Sequence, residues 1–183
     1  MHTQLKVTFA SLAALIILFA STGMSITNPN SNHALYMGQD TGAGLLYNGS
    51  EVKDNTGYAA YLGLRYDLPS GTKLGAEYNY GSKYWMPFDP AADDMWTSKL
   101  GVRGNVYEAY VIQELGLKPI SSYLSKAFFR LGYQYYDFEY TGSNNWVGAP
   151  VKMSEVGASP FNAQMFAPLK NAQDVYVTFE VKF

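Results

Sequence analysis

The sequence predicts an all-β fold: an antiparallel up-and-down transmembrane β-barrel, or only the carboxyl-terminal strands of one. Three observations carry this reading. Apolar and polar residues alternate with period two in stretch after stretch from Tyr58 onward. The connectors between those stretches alternate between long and short. The final stretch runs in register into an aromatic terminus, Phe183.

Composition agrees. Charged residues make up 15% of the 183, below the roughly 25% of an average soluble domain. The 16 tyrosines are more than a buried core needs, and they suit a boundary where a ring lies in lipid and its hydroxyl in water. The formal charge of -2 supplies no basic field for nucleic acid. The chain has no cysteine, which excludes disulfides, thiolate metal sites and a cysteine nucleophile.

The clear elements begin with Tyr58 to Leu68, where Ala60, Leu62, Leu64, Tyr66 and Leu68 share one face and Tyr61, Gly63, Arg65 and Asp67 the other. Pro69-Ser70-Gly71 turns the chain. Leu74, Ala76, Tyr78 and Tyr80 then alternate with Lys73, Gly75, Glu77 and Asn79, completing a hairpin. Two registers keep both apolar sets on one side. One sets Arg65 across from Glu77, and the other sets Asp67 across from Lys73.

A third strand covers Asn105 to Leu115, with Tyr107, Ala109, Val111 and Leu115 on its apolar side; the flank Ser98 to Arg103 is expected to extend it. The fourth, Ala127 to Tyr140, sets Phe129, Leu131, Tyr133 and Tyr135 against Arg130, Gly132, Gln134 and Tyr136. The last, Asp174 to Phe183, sets Val175, Val177, Phe179, Val181 and Phe183 against Tyr176, Thr178, Glu180 and Lys182. A weaker strand around Ala34 to Tyr47 is interrupted by Gly38, Gly42 and Gly44. A turn or two of helix is the most that residues 119–126 offer.

Residues 1–25 read as a secretory signal and 26–183 as the barrel domain. Lys6 precedes an apolar run from Val7 to Ala20, followed by Ser21, Thr22, Gly23, Met24 and Ser25. The run of about 14 residues is short of the roughly 20 a spanning helix needs. If the chain is part of a longer protein, Ala20 to Ile26 followed by Asn28-Pro29-Asn30 reads instead as a strand end and its loop.

Soluble barrels turn the apolar face inward, and membrane barrels turn it to lipid. Aromatic clusters near strand ends favour lipid: Tyr78, Tyr80, Tyr84 and Trp85, then Tyr133, Tyr135, Tyr136 and Tyr140. So do charges in mid-strand on the polar faces. Arg65, Glu77, Arg130 and Glu180 are the candidates to face a lumen, as an ion-paired plug in a narrow barrel or as selectivity groups in a wide one. The strand carrying Tyr176, Phe179, Val181 and Phe183 has the pattern that barrel assembly machinery reads through strand addition. The expected partners are thus outer-membrane lipid, that machinery and small solutes.

Three stretches extend the reading: Lys73-Leu74-Gly75-Ala76-Glu77-Tyr78-Asn79-Tyr80-Gly81-Ser82, Arg130-Leu131-Gly132-Tyr133-Gln134-Tyr135, and Asn162-Ala163-Gln164-Met165-Phe166-Ala167-Pro168-Leu169. Together they resemble a family of uncharacterised outer-membrane barrels from iron- and sulfur-metabolising bacteria, a domain of unknown function. The resemblance covers roughly residues 55–183. It implies that this stretch corresponds to the carboxyl-terminal part of longer proteins, and it carries no substrate or site residue.

Chemistry-bearing motifs are sparse. A Ser-His-acid hydrolase acting on lipid would have to use His33, and no serine motif accompanies it. Asp89, Asp93 and Asp94 are oxygen donors without EF-hand spacing, and Gly42-Ala43-Gly44 lacks a phosphate-binding fingerprint. The expected function is a non-enzymatic outer-membrane barrel, porin-like or structural, with no cofactor. A barrel-embedded lipid hydrolase and a soluble exported barrel for an apolar ligand are the alternatives.

Overall fold

Alternating sequences of this kind form strands because β-branched and aromatic side chains pack well on a pleated surface. The structure, a computed structural model, describes residues 15–28, 34–36, 39–43, 54–87, 98–115, 126–143, 150–158 and 167–182. Its strands are β1 (Leu15–Thr27), β2 (Ala34–Tyr36), β3 (Gln39–Ala43), β4 (Asn55–Asp67), β5 (Thr72–Gly81), β6 (Gly104–Leu115), β7 (Lys126–Phe138) and β8 (Asn171–Lys182). Helix among the described residues is confined to two single 3-10 turns, Lys99–Gly101 and Met153–Glu155.

Six strands form one antiparallel sheet in the order β1-β4-β5-β6-β7-β8, and β2 pairs with β3 as a separate hairpin. The sheet is open, with β1 and β8 as its edges. A six-strand up-and-down meander is therefore present, and it is not itself a closed barrel. The connectors divide as the loop lengths foretold. β4 passes to β5 and β6 to β7 at one end of the sheet, and β1 to β4, β5 to β6 and β7 to β8 at the other.

The hairpin adopts the second of the two registers: Asp67 faces Lys73, while Arg65 faces Gly75 and Glu77 faces Gly63. The turn at 68–71 selects it, since Leu68 N–H donates to the Thr72 carbonyl at 2.8 Å and Gly71 takes φ +79°. Three further expectations change. The Ala34–Tyr47 segment gives two short strands outside the main sheet. Ser98 to Arg103 does not extend β6; it makes a 3-10 turn and then bends. Residues 119–125 lie outside those described.

The largest addition is β1, paired along its whole length with β4. It draws into the sheet residues read above as the end of an export signal, in the manner of the alternative reading of Ala20 to Ile26. The alternation was hidden because Ile17 and Phe19, on the polar side, are apolar as well. An unbroken apolar run has the same appearance in a signal segment and in a strand.

Register sorts the side chains into two faces. One carries rows such as Ile16-Tyr66-Leu74-Val111-Leu131-Val177 and Leu18-Leu64-Ala76-Ala109-Tyr133-Val175. The other carries Phe19-Gly63-Glu77-Glu108-Gln134-Asp174 and Ile17-Arg65-Gly75-Tyr110-Gly132-Tyr176. The apolar face is the bare one: Leu18 is 76% and Val175 69% exposed. Among the described residues the core lies on the polar side, where Met86, Val102, Val106 and Tyr110 are buried, with Ala127 buried on the other side.

Candidate functional site on the polar face

Glu108 is the centre of this face, 4% exposed and in mid-strand of β6. It stands directly across from Glu77 of β5. Two carboxylates in that position repel, and burial makes the repulsion worse. Cations answer from two directions. Arg130 Nη2 of β7 donates to Glu108 Oε1 at 2.6 Å, while Lys99 Nζ donates to Glu108 Oε2 at 2.6 Å and also to Glu77 Oε2. Gln134 Nε2 and the Tyr176 hydroxyl complete the donors around Glu108.

The next row explains how Arg130 gets there. Glycine and tyrosine alternate across it, and each ring leans over a neighbouring glycine: Tyr110 over Gly75 and Tyr176 over Gly132. A Cβ on either glycine would collide with that ring. The Arg130 guanidinium lies 4.0 Å from the Tyr110 ring centroid and 5.3 Å from that of Tyr176, a cation–π position on both. Phe19 covers Gly63 in the same fashion. Alternation of small and large residues in this way fills one face of the sheet without clashes or voids.

Two further groups flank the centre. Towards the short-turn end, Arg65 donates to Asp67 at 2.7 Å, and Lys73 pairs with Glu114 at 2.6 Å and reaches Asp67 at 4.0 Å. Towards the long-loop end, Arg103 is almost fully buried. Its Nε donates to the Trp85 carbonyl at 3.0 Å and Nη1 to that of Thr141 at 3.2 Å, and its own carbonyl accepts from the N–H groups of Glu139 and Tyr140. Burial pushes its guanidinium down to about 10, so it stays charged at neutral pH. Arg103 thus ties two long loops to the sheet end. Arg103→Lys, which loses the planar fork, is expected to lower stability by roughly 1–3 kcal/mol, read as the urea midpoint of unfolding.

Of the four residues expected on this face, Glu77 and Arg130 join the central cluster and Arg65 the flanking one. Glu180 shares the face, opposite Phe128, but stands exposed on the edge strand and outside the cluster. In the terminal strand Phe179 and Val181 lie on the apolar side and Tyr176 on the polar side, while Phe183 lies outside the described residues, as do His33, Asp89, Asp93 and Asp94. The girdle needs revision. Tyr78 and Tyr107 pack at 5.2 Å on the apolar side near the long-loop end, and Tyr78 donates to Asn105 at 2.7 Å. Trp85 instead folds over the polar side against Gly23, and Tyr136 also lies on that side, donating to Gln134 at 2.5 Å.

Glu108 and Lys99 were not singled out from the sequence. Glu108 had a signal, since it alternates with Tyr107 and Ala109 in a recognised strand. Lys99 had none, because it arrives from a turn outside the sheet.

Fold and site together define an all-β meander with one bare apolar face and one ion-paired polar face. A family model described as protein of unknown function (DUF3373) matches residues 3–183, and the chain belongs to that family. The match includes β1, which the sequence resemblance had not covered. No curated protein and no solved structure matches the chain.

Proposed function

We propose that the chain is an outer-membrane β-barrel protein with its apolar face to lipid and its polar face towards a lumen, a porin-like channel or structural barrel without enzymatic activity. One observation carries this reading. The chain folds its own segments 82–87 and 98–103 over the charged face and leaves the Leu, Val and Phe face bare. A soluble protein does the reverse. Strands of 10–13 residues also meet the roughly 9–11 that a tilted membrane strand needs. Closure requires at least eight strands in known single-chain barrels, so further strands complete the wall. Outer-membrane lipid and the assembly machinery are the proposed partners, and small solutes the proposed cargo.

The absence of cysteine makes the test direct. Val177 and Thr178 are neighbours on opposite faces of β8, so each is replaced by cysteine and labelled with an environment-sensitive fluorophore in vesicles. The label at 177 is expected to be quenched by lipid-borne quenchers, and the one at 178 by aqueous iodide. The opposite pattern would put the apolar face inside and sink the proposal.

A further inference from the structure

We infer that Lys99 sets the ion selectivity of the pore, as a cation carried inward on a turn to neutralise a belt of carboxylates. The inference rests on the porin-like reading above. The mid-sheet row Phe19-Gly63-Glu77-Glu108-Gln134-Asp174 holds three carboxylates and no base. Arg130, from a neighbouring row, reaches only the Oε1 side of Glu108. The space between Glu108 and Glu77 is filled by Lys99, which no strand supplies. It sits at the start of the 3-10 turn Lys99–Gly101, held over the sheet by the Trp85 indole N–H donating to the Leu100 carbonyl at 2.6 Å.

Depth decides which charge a solute meets. The Lys99 side chain is 23% exposed, whereas those of Glu77 and Glu108 beneath it are 7% and 2% exposed. The lysine side chain is therefore the more accessible member of the stack, and its ammonium rests on carboxylates that are covered. An ion moving along this face meets a compensated group. With the Lys99 charge removed, it meets two adjacent carboxylates at close range, in a confined space where screening is weak. Lys99 also lies 5.3 Å from the Tyr61 ring centroid, which fixes its approach from the β4 side.

The experiment is the reversal potential of the chain in planar bilayers under a salt gradient. Lys99→Gln is expected to raise the cation-to-anion permeability ratio several-fold, Lys99→Arg to keep the wild-type value, and Glu77→Gln to move it towards anions. All shifts are expected to shrink near 1 M salt, where the Debye length falls to about 3 Å from about 10 Å at 0.1 M. A merely structural Lys99 would change stability and leave the reversal potential alone. If Lys99→Gln does not fold, the opposite shift in Glu77→Gln still decides the matter. Conductance with unchanged selectivity in the variants that fold overturns the inference alone. A wild-type chain that folds in the bilayer without closing a conducting pore, alone or with further copies of itself, overturns the porin-like reading and the inference with it.

Discussion

Glu108→Ala is expected to destabilise the chain by about 3–5 kcal/mol, the cost of leaving buried charges without their partner. One side chain here serves four donors: Lys99, Arg130, Gln134 and Tyr176. Its loss leaves Arg130 pressed against two tyrosine rings without the carboxylate to which it donates. Glu108→Gln keeps an acceptor and much of the shape, so its cost is expected to be distinctly smaller. Lys99→Gln, by contrast, is expected to be costly, since it leaves the buried carboxylates of Glu77 and Glu108 face to face without the cation between them. The measurement is the urea midpoint of the chain folded in detergent micelles, at constant slope. A loss for Glu108→Ala below about 1 kcal/mol, the scale of a surface pair, would show that water replaces the missing carboxylate.

Much of the sheet was legible from period two alone. β4 to β8 lie where alternation set them, within a few residues at each end, because each has one face that is consistently apolar. The sequence was opaque wherever a side chain's role depends on something outside its own strand. β1 was obscured because Phe19 lies over Gly63, so an apolar residue occupies the polar face at the cost of the pattern. The hairpin register was open between two charge pairings, and the 68–71 turn decided it. Trp85 was grouped with the rim aromatics by position, yet its carbonyl is held by Arg103, its indole by the Leu100 carbonyl, and its neighbours Tyr84 and Met86 by Ser25. Lys99 shows the limit most clearly. Nothing local marks it, and only the facing of Glu77 and Glu108, a fact of register, calls for a cation there.

The same dependence on register gives the second large expected effect. Gly75→Val places a branched side chain where the Tyr110 ring now lies. Tyr110 is central in the sheet and 7% exposed, so it has little room to swing aside. Overpacking of this kind costs about 1–3 kcal/mol. The damage is expected to travel, because the displaced ring is the one against which Arg130 is stacked on its way to Glu108. Tyr110→Ala alone should cost roughly 3 kcal/mol through lost burial and a cavity. In the double variant the clash has no target, and valine fills part of the space the ring vacated. Its stability is therefore expected to match or exceed that of Tyr110→Ala, with a coupling of about 1–3 kcal/mol in the double-mutant cycle. Additive costs would mean that the ring does not depend on the bare backbone at position 75. The alternation of glycine and tyrosine across this row would then be incidental to how the polar face is filled.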